Sequence, residues 1–392
     1  MNIVKKVSIS LSILIIAALA TSANAISFEE LTVSGFGSIV GGITDEDEVT
    51  QLTNLQNRLN FTQQSNIGLQ FNADLGDGLQ AITQLQAQGS EASNARVSWA
   101  YLNYEFNEDL ILRAGRIRLP LYAYSDYLDV GYAQTFLRGP VSLYFGSFNE
   151  INGISAYKTV ELGDFSLVTS ILFGDIEEDV DIAGATAKSD TEDIHAIRFD
   201  LSQDWFRVSL LGLKGQLAFP IPALEPVFAS LIAAGASPGS INNIRLNGDS
   251  ATFMSLNMGI DYENIIFEAE YTKSQVPNSF ILDTKAWYAM IGYRFERITP
   301  YLIYETSEND RNTDLAKEFP SFLQAGVQAI VDGGRVELKG ISAGFRYEIH
   351  KSAALKVEYN HYYDIIDTLN AYGTDADKQE LNVLSAAIDF VF

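Results

Sequence analysis

Apolar and polar residues alternate along most of this chain, and a period of two predicts strands rather than helices. Ile67, Leu69 and Phe71 alternate with Gly68, Gln70 and similar residues, for example. We predict sixteen strands, each about 9–13 residues long, which is close to the length that a tilted strand needs to cross a bilayer. Their approximate bounds are 31–41, 64–75, 79–89, 95–106, 110–117, 151–160, 165–174, 192–202, 205–214, 251–263, 265–275, 284–296, 298–306, 337–350, 353–363 and 380–392.

The connections between the predicted strands alternate between short turns and long loops. Gly76-Asp77-Gly78 is typical of the short ones, and aromatic residues such as Phe106 and Trp205 lie near these turns. The long loops are predicted at 42–63, 118–150, 175–191, 215–250, 276–283, 307–336 and 364–379, with a brief exception at 90–94. This layout, with aromatic girdles at the membrane interfaces, is typical of an outer-membrane barrel.

A sheet of sixteen strands is expected to close, because open edges aggregate in water and every backbone polar group must be paired in lipid. The polar face is rich in Gln, Ser, Asn and Gly, which suits a water-filled lumen. Sixteen strands also leave a lumen wide enough for an aqueous channel. We therefore predict an all-β fold, a 16-stranded antiparallel transmembrane β-barrel.

The first 25 residues predict a targeting segment that is removed after export. Lys5 and Lys6 precede the apolar run Val7–Ala20, and Ala23-Asn24-Ala25 is a small-residue cleavage site. Residues 26–392 then form one barrel domain without a cysteine. The formal net charge of −24 argues against a nucleic-acid partner. No later run reaches the roughly 18–20 apolar residues that a spanning helix needs, so we expect an envelope protein that crosses its membrane as strands.

Several short motifs carry a resemblance to a known family. Val33-Ser34-Gly35-Phe36-Gly37 lies in the first strand, Gly115-Arg116 closes the fifth, and Asp389-Phe390-Val391-Phe392 ends the chain. With the targeting segment and a long third loop, the chain resembles the general porins of Gram-negative outer membranes. The resemblance implies that Phe392 is the assembly signal read by the barrel-insertion machinery. The chain departs from the family at Ser90–Asn94, which is too short for the loop that latches onto a neighbouring subunit.

The resemblance also implies partners. It predicts a homotrimer in the bacterial outer membrane, surrounded by lipid and lipopolysaccharide. We expect the trimer contact around the first and last strands, where small residues allow close approach. These residues are Gly35, Gly37, Gly41, Ala386 and Ala387.

The third long loop, near residues 118–150, has neither strand nor helix period and is rich in aromatic and charged residues. Its apolar side chains, among them Leu119, Tyr122 and Phe136, would expose much apolar surface if the loop stood in water. We therefore predict that Arg118–Pro140 folds into the barrel at about mid-height and narrows the bore.

The predicted constriction has two oppositely charged sides. Asp126 and Asp129 of the loop face a set of arginines, and the resulting transverse field would tune ion selectivity. The arginines are Arg96, Arg113, Arg116, Arg118, Arg138, Arg198 and Arg207. Arg116 reaches the lumen only if a bulge at Gly115 turns it inward. The alternative is that these arginines pair structurally with Asp or Glu across the wall.

The first functional hypothesis is a channel for passive diffusion of small hydrophilic solutes and ions. The alternatives are a more substrate-selective channel, for instance for organic acids, and a surface receptor or structural barrel. We predict no enzyme, cofactor or metal site, because Asp126 and Asp129 lack a partner base and the three histidines lack catalytic or ligand spacing. The acidic runs at 45–48 and 177–181 have no EF-hand spacing, so we expect solvated loops. Apolar loop pieces at 223–236 and 323–331 either cap the mouth or bury against a neighbour.

Overall fold

The barrel consists of sixteen antiparallel strands in the part of the chain that the structure describes. Their bounds are β1 Leu31–Thr44, β2 Asn66–Gly76, β3 Leu79–Gln88, β4 Ala95–Asn107, β5 Leu110–Arg118, β6 Glu150–Leu162, β7 Phe165–Ile182, β8 Ala185–Gln203, β9 Phe206–Ala218, β10 Asn247–Tyr262, β11 Ile265–Gln275, β12 Asp283–Tyr293, β13 Ile298–Asp310, β14 Val336–His350, β15 Ala353–Asp367 and β16 Leu381–Val391. Each strand pairs with its neighbours in sequence, and β1 closes the barrel on β16. The predicted all-β, 16-stranded antiparallel barrel is confirmed.

The structure is a computed structural model. It describes residues 30–47, 52–53, 55–91, 94–144, 148–182, 185–218, 224–277, 279, 281–310, 315–332, 335–367 and 380–392. The predicted targeting segment, residues 1–25, lies outside the described residues.

One predicted loop is wrong. Residues 175–182 and 185–191 do not form a loop but continue β7 and β8, which pair from Ile176 opposite Thr191 to Ile182 opposite Ala185. The register shifts between Gly174 and Ile176, as in a β-bulge, and then resumes. The shift interrupts the alternation in the sequence without ending the strand, so the pattern alone placed the strand end too early.

The two faces of the barrel differ in the sense expected for a lipid-embedded sheet. Along β16, Leu384, Ala386 and Ile388 are exposed, whereas Ser385 and Asp389 are buried. Many large apolar side chains expose about half of their surface on the outer face, and lipid is the solvent that suits such a surface. None of the helices in the described residues is long and apolar enough to cross a membrane.

Four α-helices lie in the connections that the structure describes. They are α1 Val141–Tyr144, α2 Glu225–Ala233, α3 Pro238–Ile244 and α4 Ser321–Asp332. Helices α2, α3 and α4 bury apolar side chains in one common cluster that includes Phe228, Ile241 and Val327. The two apolar loop pieces therefore pack against each other, within one chain.

Aromatic side chains mark the short-turn end of the barrel. Phe106, Trp205, Tyr262 and Phe295 are all exposed there, and the rings of Trp205 and Tyr262 lie 5.8 Å apart. They lie where a membrane-interface girdle is expected.

Candidate functional site

The third loop, residues 119–149 between β5 and β6, contacts polar side chains on several strands of the barrel. Its regular structure in the described residues is limited to the turns Ser125–Tyr127 and Gly131–Ala133 and to α1. Most of its backbone polar groups therefore need partners outside helices and sheets. The inner face supplies many of them.

Carboxylates of the wall accept hydrogen bonds from backbone N–H groups of the third loop. Glu270 of β11 accepts from the Ala123 N–H at 3.0 Å and from the Tyr144 hydroxyl at 2.8 Å. In two further bonds, the Ser142 N–H donates to Glu305 at 2.8 Å and the Leu137 N–H donates to Glu358 at 3.2 Å. These glutamates are buried on β11, β13 and β15.

Cations of the wall donate to backbone carbonyls of the same loop. Arg198 donates to the carbonyls of Pro120 (2.9 Å) and Tyr122 (3.1 Å), Arg346 to those of Tyr132 (2.5 Å) and Gln134 (2.8 Å), and Lys356 to those of Gly131 (2.7 Å) and Phe136 (2.8 Å). Lys356 is fully buried and also pairs with Asp389 at 2.9 Å. We call the charged residues of the strands that bind the third loop the charged wall. They are Arg198, Glu270, Glu305, Arg346, Lys356 and Glu358, with Glu268, which binds the Tyr124 hydroxyl.

Aromatic packing reinforces these contacts. Tyr124 stacks edge-on against Phe136 with ring centroids 5.2 Å apart, and Phe136 in turn meets Tyr288 of β12 at 6.3 Å. The Tyr124 hydroxyl donates to Glu268. Burial, and then the nearby Glu268 charge, raises the pKa of Tyr124 well above its ordinary value, so its hydroxyl stays protonated and remains a donor.

Three of the predicted arginines converge on one buried carboxylate, Glu150 at the start of β6. Arg96, Arg116 and Arg118 approach it at 3.5, 3.6 and 3.4 Å. Arg118 also binds Asp129 at 2.5 Å and lies 4.7 Å from the centre of the Trp99 ring. Arg118 and Asp129 are thus engaged with each other, whereas Arg96 and Arg116 remain about a third exposed.

Arg113 of β5 has neutral partners. Its Nε donates to Asn103 at 3.1 Å, and its guanidinium lies 4.6 Å from the centre of the Tyr157 ring. The bulge expected at Gly115 is absent, since β5 pairs with β6 in unbroken register through that residue. Gly115 instead has a φ of 135°, and a Cβ there would lie 2.5 Å from the Ala100 carbonyl oxygen.

The remaining predicted residues are dispersed. Asp126 is exposed, and its side chain has no hydrogen bond or ion pair with another described residue. Arg207 pairs with Glu268 at 3.2 Å but is 43% exposed, and Arg198 pairs with Asp200 at 2.8 Å. Arg138 donates to the Asn360 side-chain oxygen at 3.4 Å. The predicted arrangement of both loop carboxylates opposite wall arginines stays a prediction, and the partner of Asp129 is Arg118, the last residue of β5.

The glutamates and Lys356 of the charged wall were not among the predicted site residues. A signal was present, because Lys356 and Glu358 occupy the polar positions of an alternating strand. The alternation indicates the inner face, but it does not indicate that a loop covers it. Among the described residues, no group of three or more His, Cys, Asp or Glu side chains is arranged to hold a metal ion.

The chain is similar to known proteins both in sequence and in fold. A family model described as Gram-negative porin matches residues 11–386. Among solved structures, OmpF of Salmonella typhi is 14% identical with a TM-score of 0.59, covering 94% of this chain and 100% of that one. The anion-selective porin of Comamonas acidovorans is 14% identical with a TM-score of 0.57, covering 92% and 99%. A trimer form of OmpT of Vibrio cholerae is 13% identical with a TM-score of 0.52, covering 92% and 99%. At these identities the structures show the fold alone, and no curated protein matched the sequence.

Proposed function

The chain belongs to the Gram-negative porin family, and on that premise we propose that its third loop forms the constriction of the channel. Family membership makes the barrel an outer-membrane channel for passive diffusion. The proposal adds which part of the chain narrows the channel, and which charges a passing ion meets.

The observation that carries the proposal is that most hydrogen bonds between the third loop and the barrel strands go to one side of the barrel. Backbone donors and acceptors of the loop bind the charged wall, from Arg198 on β8 to Glu358 on β15. The inner side chains of β2–β4 are mainly amides, and we call Gln70, Gln80, Gln84, Gln86 and Asn103 the amide wall. None of these five hydrogen-bonds a described residue of the third loop. Asn66 of β2 and Gln88 of β3, outside this set, do bond to Asp129. Gln84, Gln86 and Asn103 are buried, whereas Gln70 and Gln80 are half-buried, so the proposed path for solutes runs beside Gln70 and Gln80.

The charges free to act on a passing ion are few. Asp126 extends from the loop without a described partner, and Arg113 beside the amide wall has only neutral partners. Arg207 is paired but partly exposed. We assign these three to the constriction, and Arg96 and Arg116 to its approach. Arg118, Asp129 and Arg198 act as positioning residues, because each is already bound within the loop or to it.

Reversal potentials in a salt gradient across a planar bilayer test this assignment. Asp126→Asn removes the exposed negative charge, so the channel should become more selective for anions. Arg113→Gln removes the opposing positive charge and should shift selectivity toward cations. Asp77→Asn, in the turn between β2 and β3, is the matched control and should leave the potential unchanged. An unchanged potential in both pore variants would refute the constriction.

Self-association is a further part of the proposal. A trimer form exists for a structurally similar barrel, and the outer face around β1 and β16 is apolar. The glycines expected to admit a neighbour are covered by this chain's own rings. A Cβ at Gly35 would lie 2.3 Å from the Phe392 ring, and one at Gly37 would lie 2.6 Å from the Phe390 ring. We therefore propose a trimer whose subunits pack through apolar side chains of the outer face rather than through uncovered glycines. Native electrophoresis of detergent-extracted protein tests it, and a monomer would contradict it.

Assembly and export complete the proposal. Phe392 is 65% exposed, and its backbone N–H and C=O bond to Gly35 at 3.0 and 2.9 Å. We propose that this terminal ring is the signal for the barrel-insertion machinery, after residues 1–25 have directed export. Deleting Phe392 should lower the amount of barrel in the outer membrane without blocking export. Fractionation of cells measures both quantities, and normal outer-membrane levels would exclude the role.

A surface receptor or a structural barrel is the alternative function. Such a protein would give no conductance steps in a planar bilayer, whereas a channel gives them. We propose no enzymatic activity. The solutes are expected to be small and hydrophilic.

A further inference from the structure

A cavity of about 480 Å³ lies between the first loop, which joins β1 to β2, and the third loop, on the long-connection side of the barrel. Leu52, Thr53 and Gln64 of the first loop line one side, and residues 128–144 of the third loop line another. Ser38 and Val40 of β1, with Asn66 of β2 and Gln88 of β3, line the rest. Small-molecule sites in proteins commonly have volumes of 300–1,000 Å³, so the cavity is large enough for a compact organic solute.

The charge in this cavity is positive, although the chain as a whole is strongly acidic. Two charged side chains line it, Asp129 and Arg138. Asp129 is neutralised by Arg118 at 2.5 Å and also accepts from Gln88 at 3.3 Å. Arg138 forms no ion pair with a described residue, and its neutral partner is Asn360 at 3.4 Å. Glu305 acts on Arg138 only at longer range. A cation without a close counter-charge in a partly enclosed site favours an anionic ligand.

The amide side chains of the cavity define the rest of the ligand. Each of the four donates its N–H to the protein, so its carbonyl oxygen is the group left to accept. Gln64 donates to the Thr53 carbonyl, Asn66 to the Asp129 carbonyl (3.2 Å), Gln88 to the Asp129 carboxylate (3.3 Å) and Gln134 to the Leu128 carbonyl (2.8 Å). The side-chain oxygens of Gln64 and Asn66 are buried without a hydrogen-bond partner. After a small rotation of either amide, a hydroxyl donor of a ligand would satisfy them.

Part of the cavity lining is apolar. It consists of Val40, Leu52, Leu137 and Val141, with the ring of Tyr144. Such a surface suits the C–H groups of a hydroxylated carbon chain. One ligand class combines all three requirements: one carboxylate, several hydroxyl donors and a C–H face.

We propose that this cavity binds small hydroxylated carboxylic acids, of the sugar-acid type, before they pass the constriction. Arg138 binds the carboxylate, and the amide oxygens accept from the hydroxyls. The inference rests on the proposed channel and names a solute class for it. An inorganic anion would use Arg138 alone, and a neutral polyol would use the amides alone.

Single-channel recording in potassium chloride tests the proposal with gluconate as the probe. Gluconate should interrupt the current at concentrations at least tenfold lower than sorbitol, which lacks the carboxylate, or butyrate, which lacks the hydroxyls. Inorganic phosphate should also be at least tenfold weaker than gluconate. A phosphate effect equal to that of gluconate would mean a general anion site and would overturn the assigned class.

Arg138→Gln should raise the gluconate concentration for half-block at least tenfold, and Arg138→Lys should restore part of the effect. Arg245→Gln is the matched control, because Arg245 pairs with Glu225 in another loop, outside the cavity. Normal conductance in potassium chloride shows that each variant has folded. Equal effects of the Arg138 and Arg245 variants would overturn the proposal, as would a conducting wild-type channel that gluconate does not interrupt. A wild-type protein that does not conduct at all would instead contradict the channel itself.

Discussion

The inner face of this barrel has two walls of different chemistry. The charged wall, on β8, β11 and β13–β15, carries arginine, lysine and glutamate side chains that bind the backbone of the third loop. The five residues of the amide wall, on β2–β4, make no hydrogen bond to the described part of that loop. Two other amides of these strands, Asn66 and Gln88, bond only to Asp129 of the loop. Both walls come from the same alternating pattern, so alternation alone does not determine what an inward polar residue does.

The difference follows from what each wall faces. The third loop brings backbone groups without helix or sheet partners to the charged wall, and charged partners form stronger hydrogen bonds to such groups than neutral ones do. Buried charges are tolerated there because each has donors or acceptors fixed around it. Amide side chains carry no net charge, so they can line the inner face without creating a strong local electric field.

Among the substitutions that test this comparison, Lys356→Met is expected to have the largest effect. The substitution removes the cation from buried Asp389 and from two loop carbonyls. Breaking a buried pair by removing one partner typically costs roughly 3–5 kcal/mol. We expect the free energy of unfolding, measured by urea titration of the lipid-folded barrel, to fall by about that amount. Lys339→Met removes an exposed partner of Asp364 and serves as the control. A similar fall in both variants would mean that the charged wall does not anchor the loop.

A smaller effect is expected from Glu270→Leu, which leaves the Ala123 N–H and the Tyr144 hydroxyl without their acceptor. An unsatisfied buried group costs about 1–3 kcal/mol, so the loop should loosen while the barrel stays folded. Single-channel recordings should then show higher conductance and more current noise. Glu270→Gln keeps an oxygen acceptor and should lie between the variant and the wild type.

The control for this variant is on the other wall. Gln80→Leu changes an inward side chain of similar size that makes no hydrogen bond to the described part of the third loop. Its current noise should match the wild type. Equal noise in Glu270→Leu and Gln80→Leu would remove the distinction between the walls.

The sequence was sufficient for the barrel but not for the assignment of its inner residues. Alternation, turn chemistry and the short-turn aromatics are local signals, and they predict most strand bounds within a few residues. The exception, at 175–191, arose where a register shift near Gly174 interrupts the pattern. Strand parity could place Arg198 on the inner face. It could not show that Arg198 binds loop carbonyls, because such contacts join residues 76 and 78 positions apart through a loop without periodicity.

The smallest and most selective test adds a charge to the amide wall. Gln80 is half-buried on β3, where its neighbour across the strands is Asn103. Gln80→Glu places a carboxylate beside the proposed path without removing a loop contact. The free energy of unfolding should therefore stay at the wild-type value, whereas the reversal potential in a salt gradient should shift modestly toward cation selectivity. The shift should be smaller than that of Arg113→Gln, because a side chain in water is screened within about 10 Å at 0.1 M salt. Asn264→Asp, in the turn between β10 and β11, controls for charge outside the path. A loss of stability in Gln80→Glu without a change in selectivity would show that the amide wall is packed rather than open to the solute path.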